Sequence, residues 1–189
     1  MVKIAVLASF NMDLVMRAER LPRPGETLQG DFAMYLGGKG FNQAVAARRL
    51  GADVAVIGRV GDDDFGAAFL DMLDAEGIDR RGVTIDPERG TGVASIVVDA
   101  DGENAIIQSP RANRTLTADD VRRAAAAIDG ASFALFQLEL SDAAVYEYAR
   151  LARSASATVI FNPAPAAPVA DAVVTLADII VPNQIEART

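Results

Sequence analysis

Three glycines and a lysine, Gly37-Gly38-Lys39-Gly40, run directly into an alanine-rich segment that ends at Gly51. Glycine lets the backbone approach a ligand closely and adopt positive φ, and the first turn of a helix offers unpaired N–H groups to a polar or anionic guest. Lys39 adds a positive charge, and Asn42, on the same helical face, can both donate and accept. These residues suit a hydroxylated substrate that receives a phosphate. For the glycines alone, a tight turn before a helix is the alternative interpretation.

The spacing of these glycines does not fit two common phosphate-binding motifs. A P-loop requires Gly-Lys followed by Ser or Thr, whereas Gly40 follows Lys39 here. The dinucleotide fingerprint GxGxxG must directly follow a strand, and that pattern does not occur after the first predicted strand. A nicotinamide oxidoreductase is therefore a remote alternative.

Polar side chains also follow two predicted strands. Asn11 and Asp13 lie just beyond the apolar run 4–8, and Glu139 follows the apolar run 133–138. Open α/β sheets bind ligands at the carboxyl ends of their strands, and carboxylates and amides are good partners for sugar hydroxyls. A solvated Asx turn at residues 11–13 and an ordinary strand-end carboxylate at Glu139 are the alternatives.

The composition narrows the possible chemistry. The 189 residues are 51% hydrophobic, carry a formal net charge of −8 and include no histidine or cysteine. Disulfide scaffolds, thiolate zinc sites, cysteine nucleophiles and histidine-based acid–base schemes are thereby excluded. The acidic balance argues against nucleic acid or an anionic membrane as a partner. Without a signal-peptide pattern or a long apolar stretch, we expect a cytoplasmic protein.

The order of predicted elements indicates an α/β fold with a mostly parallel sheet. Buried strands are predicted at 4–8, 54–57, 133–138, 158–161 and 178–181, and helices at 41–50, 65–76, 118–128 and 142–152. The acidic run 62–64 is predicted to cap the second helix and not to bind a metal. Strand 178–181 and a short helix start at 182–186 predict a core that is incomplete at the C-terminus.

A second, smaller sheet is predicted from three β-rich runs, 27–36, 91–99 and 104–108, the last two joined by an Asp-Gly turn. Its strands flank the polar loops in the sequence, so it is expected to act as a lid. The predicted division assigns 1–12, 37–90 and 110–189 to the core and 13–36 and 91–109 to the lid.

Taken together, the chain resembles the ribokinase-like (PfkB) carbohydrate kinases from residue 4 to residue 186. The motifs that carry the resemblance are 9–13 (SFNMD), 24–27 (PGET), 37–47 (GGKGFNQAVAA), 61–63 (GDD), 91–94 (TGVA), 137–139 (QLE), 162–165 (NPAP) and 182–186 (PNQIE).

The resemblance implies a Rossmann-like doubly wound sheet with a β-sheet lid that closes on the sugar and forms a homodimer contact. It assigns six residues to the sugar hydroxyls: Asn11, Asp13, Gly38, Lys39, Asn42 and Glu139. Asn183 would face the nucleotide phosphates, and Glu186 would organise Mg²⁺ through water. In the ribokinases of this family the γ-phosphoryl group of ATP moves to the 5-hydroxyl of D-ribose.

The resemblance also implies parts that these residues do not contain. The family's catalytic base is an aspartate in a Gly-Ala-Gly-Asp turn, expected beyond Thr189, and the purine pocket and K⁺ site are expected there too. We therefore expect the 189-residue chain alone to be inactive. A non-catalytic fragment that binds sugar or dimerises is the alternative from a different class.

The chain departs from the family pattern after the lid hairpin. Where ribokinases tend to have His-Ala-Gly-Ala-Asn, it has Gln108-Ser109-Pro110-Arg111-Ala112-Asn113. Pro110 and Arg111 are expected near the sugar pocket, which leaves another pentose, a ketohexose or a nucleoside as alternative substrates.

Overall fold

The structure is a computed structural model that describes residues 1 to 188. Its strands are β1 (Lys3–Ala8), β2 (Asn11–Arg17), β3 (Asp31–Gly37), β4 (Asp53–Gly61), β5 (Asp79–Asp86), β6 (Gly92–Val98), β7 (Asn104–Ser109), β8 (Phe133–Phe136), β9 (Thr158–Phe161) and β10 (Ile179–Ile180). Its α-helices are α1 (Lys39–Arg49), α2 (Asp64–Glu76), α3 (Ala118–Arg123), α4 (Asp142–Ser154) and α5 (Asp171–Val174).

Six strands form one parallel sheet in the order β10-β9-β8-β1-β4-β5. Alternate residues of β1 face opposite sides of this sheet, as the two-residue period of a strand requires. Ala5 and Leu7 pack with α4, whereas Val6 and Ala8 pack with α1 and α2. The sheet is therefore covered on both faces, which confirms the predicted doubly wound α/β fold.

Aromatic side chains fill both layers between the sheet and its helices. On one face the rings of Phe41 and Phe69 meet edge to face with their centroids 4.9 Å apart. On the other face Phe136 stacks on Phe161 with centroids 4.7 Å apart and also contacts Tyr148. Each layer is thus a well-packed core that fixes the carboxyl ends of the strands.

The remaining four strands form what we call the small sheet, in the order β3-β2-β6-β7. The predicted hairpin is confirmed, since β6 and β7 pair antiparallel and Gly102 in the turn has φ of +84°. Strand β2 was not predicted. It begins at Asn11, two residues before the predicted boundary of the lid, and pairs antiparallel with β3 and parallel with β6. These partners lie far away in the sequence, so the local pattern does not reveal the strand.

The predicted helix caps are confirmed at two helices. Asp63 accepts a hydrogen bond from the Gly66 N–H at 2.8 Å, and Gly77 ends α2 with φ of +67°. Thr117 and Asp120 form a capping box at the start of α3.

Three sequence predictions about the elements were wrong. The helix predicted to reach Ile128 ends at Arg123 and is followed by a 3₁₀ turn at Ala125–Ala127, so the helix propensity of the alanine run does not decide the conformation there. The predicted helix after Pro182 is only a 3₁₀ turn, Glu186–Arg188, and β10 has just two residues. Strand β5 and helix α5 were missed. Within residues 1 to 188, no helix has the length and apolar character that crossing a bilayer requires.

Candidate functional site

A cavity of about 360 Å³ lies between the small sheet and the carboxyl ends of the parallel strands. The six residues predicted to bind sugar all line it. The full lining is Asn11, Asp13, Gly38, Lys39, Asn42, Ala94, Ile96, Ile106, Gln108, Glu139 and Pro165. The lining residues come from a stretch of 155 positions, Asn11 to Pro165, and they meet at one cavity.

The glycine run places the start of α1 against the floor of this cavity. Gly38 has φ of +101°, and a Cβ at this position would lie 2.4 Å from the carbonyl oxygen of Ser9. A Cβ on Gly40 would lie 2.6 Å from the Cα of Ala8. Both positions therefore require glycine, since any side chain would push α1 away from β1. The helix begins at Lys39, two residues earlier than predicted, and its first three N–H groups donate to Glu139 and Ser9 at the edge of the cavity.

Glu139 joins three separate segments at the cavity. Its Oε2 accepts hydrogen bonds from the Ser9 hydroxyl at 2.5 Å and from the Lys39 N–H at 2.8 Å. Its Oε1 accepts a hydrogen bond from Nε2 of Gln108 at 3.1 Å. The side chain is therefore more than an ordinary strand-end carboxylate, because it ties β1, α1 and β7 together while its remaining acceptor capacity faces the cavity.

Asn11 presents a buried donor that has no protein partner. The residue is 2% exposed, and its Oδ1 accepts a hydrogen bond from Asn113 at 3.0 Å. Its Nδ2 makes no hydrogen bond within the part of the chain that the structure describes. A Cβ on Gly92 would lie 2.2 Å from Asn11 Oδ1, so the close approach of β6 depends on glycine there. An unpaired buried amide at a cavity wall is a natural place for a ligand hydroxyl.

Asp13 faces the same cavity from β2, with its carboxylate against Gly37, where a Cβ would lie 2.3 Å from Oδ2. Burial raises the pKa of Asp13, and the neighbouring charge of Glu139 adds to the rise. The positive charge of Lys39 lowers the pKa of Asp13 and partly offsets both effects. Two carboxylates and one ammonium group therefore share the cavity, which suits the recognition of several hydroxyls.

Pro110 and Arg111, which were expected near the sugar pocket, are not among the residues that line the cavity. The guanidinium group of Arg111 donates to the carbonyl oxygen of Thr91 at 3.0 Å and lies beside Asp63. It therefore supports the loop that precedes β6. The member of this run that lines the cavity is Gln108.

Besides the apolar lining residues Ala94, Ile96 and Ile106, sequence reasoning missed four residues of the site. Ser9 and Asn113 hold its carboxylate and amide groups, and Gln108 and Pro165 line its wall. Ser9 and Pro165 belong to motifs that pointed to the family, so their position next to a strand end was an available signal. Gln108 and Asn113 stood out only as members of the run 108–113 that departs from the family pattern, because their roles depend on partners 31 and 102 residues away.

Asn183 and Glu186 lie outside the cavity, next to each other. Nδ2 of Asn183 donates to Glu186 Oε1 at 2.8 Å, and the Asn183 N–H donates to Oε2 at 2.8 Å. Asn162 links this pair to α1. Its Nδ2 lies 3.5 Å from Glu186 Oε2, and its Oδ1 accepts a hydrogen bond from Nε2 of Gln43 at 3.3 Å. The Glu186 carboxylate is thus held in place while its Oε1 keeps one free acceptor position, a suitable arrangement for ordering a water of a hard cation.

The chain matches proteins of one family over its whole length. The pfkB family of carbohydrate kinases matches residues 1–189. The chain is 39% identical to a ribokinase of Mus musculus over 187 residues, which cover 98% of this chain and 58% of the mouse protein.

Solved structures show the same relationship. Ribokinase from Giardia lamblia has a TM-score of 0.90 and 32% identity, over 98% of this chain and 58% of that one. Ribokinase from Arabidopsis thaliana, solved with ribose and ATP, has a TM-score of 0.86 and 28% identity, over 98% and 62%. The chain therefore spans about three-fifths of the length of these relatives.

These matches confirm the ribokinase-like fold that the motifs predicted. They extend over both the parallel sheet and the small sheet, because 98% of the chain is covered in each comparison. The chain belongs to the pfkB family of carbohydrate kinases.

Proposed function

We propose that the protein is a ribokinase, which transfers the γ-phosphoryl group of ATP to the 5-hydroxyl of D-ribose. The observation that carries this proposal is the convergence of Asn11, Asp13, Lys39, Asn42 and Glu139 on one cavity of about 360 Å³, a volume suited to a monosaccharide. The similarity to an Arabidopsis ribokinase solved with ribose and ATP supports the choice of sugar and nucleotide.

In this proposal the cavity offers both donors and acceptors to the sugar. Asp13 and Glu139 accept hydrogen bonds from hydroxyls, and the unpaired Nδ2 of Asn11 donates to a hydroxyl oxygen. Lys39 and Asn42 add donors from the first turn of α1, and Gly38 allows the sugar to approach the backbone. Ala94, Ile96 and Ile106 of the small sheet give the cavity an apolar roof that excludes water.

The division into core and lid follows from this arrangement. Residues 13–36 and 91–109 are proposed to close over the sugar as a lid, and 1–12, 37–90 and 110–189 to form the core. The small sheet exposes large apolar side chains on β2 and β3, including Met16, Phe32 and Met34. We assign this exposed surface to a homodimer contact, and sedimentation equilibrium tests that assignment.

The phosphate side of the proposal rests on Asn183 and Glu186. Asn183 is assigned to the phosphates of ATP and Glu186 to the waters around Mg²⁺, which would neutralise charge on the transferring group. K⁺ is proposed for the complete protein without an assigned residue. No catalytic base is assigned within the 189-residue chain, which is proposed to bind sugar without turnover. The cytoplasmic location stays a prediction from the sequence.

The experiment is an assay of ATP- and Mg²⁺-dependent phosphorylation with the complete protein that contains residues 1 to 189. We expect ribose to be the preferred substrate among ribose, a ketohexose and a nucleoside. Asp13→Asn should raise KM for ribose by about 100-fold, since an amide cannot replace both carboxylate acceptors. The matched variant Asp31→Asn changes an exposed aspartate at the far end of β3 and should leave KM unchanged. Equal turnover of ribose in both variants would show that this cavity is not the sugar site.

Ribose affinity is expected to depend on pH through Asp13. The ionised carboxylate accepts the sugar hydroxyl, so affinity falls as pH drops through the raised pKa of Asp13. Lys39→Met removes the charge that opposes this rise in the pKa of Asp13, so the pH at which affinity falls, the acid limb, should move to higher pH. Lys39→Arg keeps the charge and should keep the limb in place. Calorimetric titration with ribose between about pH 4 and pH 8 measures the position of this acid limb. An acid limb that moves to lower pH in Lys39→Met contradicts the assignment of Asp13 as the titrating group.

A further inference from the structure

Gln108 makes the one hydrogen bond between a side chain of the small sheet and Glu139 within residues 1 to 188. It lies on β7 opposite Ala94, and its side chain faces the cavity next to Ile106. Its Nε2 donates to Glu139 Oε1 at 3.1 Å. The bond therefore crosses the cavity wall from the small sheet to the parallel core.

This bond gives Oε1 of Glu139 a hydrogen-bond donor even when no ligand is bound. Glu139 as a whole residue is only 8% exposed, and its Oε2 already accepts hydrogen bonds from the Ser9 hydroxyl and the Lys39 N–H. The oxygen that remains for a sugar hydroxyl is Oε1, and Gln108 occupies one of its two acceptor positions. Glu139 is thus satisfied whether or not a hydroxyl reaches it.

That property bears on selectivity. A site built to hydrogen-bond a hydroxyl rejects an analogue that lacks it because the site's buried polar groups are then left unpaired. Gln108 removes this penalty at Glu139, since its amide stays bonded to Oε1 when the hydroxyl is missing. Its own Oε1 can accept from a sugar hydroxyl that is present.

Building on the proposed function, we propose that Gln108 is a specificity-determining residue that lets the cavity accept a pentose lacking the hydroxyl opposite Glu139. A side chain of the same length without a donor would make the cavity more selective for the fully hydroxylated sugar. The ligand class is therefore pentoses and their monodeoxy analogues.

The test compares ribose, 2-deoxyribose and 3-deoxyribose in the wild-type protein and in Gln108→Met, with Kd measured by calorimetry. We expect the wild type to bind one of the deoxy sugars within about 10-fold of ribose. In Gln108→Met the affinity for that same sugar should fall by a further factor of about 10, while ribose changes by less than about 3-fold. The change in the ratio is a readout that loss of packing alone would not produce.

Ile107→Met is the matched control. Ile107 is the neighbouring residue of β7 and faces away from the cavity, so its substitution should leave the ratio unchanged. Equal losses for all three sugars in Gln108→Met, or an unchanged ratio, would overturn the inference while leaving the sugar site intact. Failure of the wild type to bind any of the three sugars would instead overturn the proposed function, and this inference with it.

Discussion

Replacing Glu139 by alanine is expected to weaken ribose binding by about 100-fold and to destabilise the fold by about 2 kcal/mol. The loss of binding follows from the removal of a charged acceptor at the cavity wall. The loss of stability has a separate cause, since Oε2 accepts hydrogen bonds from the Ser9 hydroxyl at 2.5 Å and the Lys39 N–H at 2.8 Å. Ser9 is fully buried, so its O–H would be left without an acceptor, while its oxygen would still accept from the Gly40 N–H at 3.2 Å.

Calorimetric titration with ribose and urea-induced unfolding measure these two effects independently. Glu139→Gln keeps the side-chain volume and one acceptor oxygen, so it should retain most of the stability and lose most of the affinity. Glu103→Ala removes an exposed glutamate in the turn between β6 and β7 and should change the free energy of unfolding by less than about 0.5 kcal/mol. Wild-type ribose affinity in Glu139→Ala would place the sugar elsewhere.

The part of the site that the sequence predicted consists of residues next to a local signal. Glu139 directly follows the apolar run 133–138, and Lys39 and Asn42 start a helix after a glycine run. Strand ends and helix starts can be predicted from periodicity and capping residues, and in a parallel sheet they meet at one edge. The convergence of these side chains could therefore be predicted without coordinates.

The residues that the sequence did not reveal depend on distant partners. Strand β2 begins with a polar residue and lacks a regular alternation, and its conformation is fixed by β3 on one side and β6 on the other. Gln108 stood out only as part of a run that departs from the family pattern, and its partner Glu139 lies in the distant segment between β8 and α4. Pairing across the small sheet decides both positions, and a sequence read along one segment contains no information about it.

Asn113→Ala is expected to lower the free energy of unfolding by about 3 kcal/mol. Asn113 is completely buried, and its side chain satisfies both backbone groups of Phe10. Oδ1 accepts from the Phe10 N–H and Nδ2 donates to the Phe10 carbonyl, both at 2.9 Å. Because the Phe10 N–H can only donate, this network fixes which end of the amide is the oxygen. Alanine would leave two buried backbone groups unpaired where β1 passes into β2.

Ribose affinity separates the structural effect of Asn113 from its effect on the site. Its Nδ2 also donates to Asn11 Oδ1 at 3.0 Å, which directs the free Nδ2 of Asn11 into the cavity. The variant should therefore lose about 10-fold in ribose affinity even where it remains folded, since Asn11 is no longer held in one orientation. Asn104→Ala removes an exposed asparagine of β7 and should alter neither quantity. A stability loss below about 1 kcal/mol in Asn113→Ala would mean that water replaces the amide at Phe10, and unchanged ribose affinity would remove Asn11 from the sugar site.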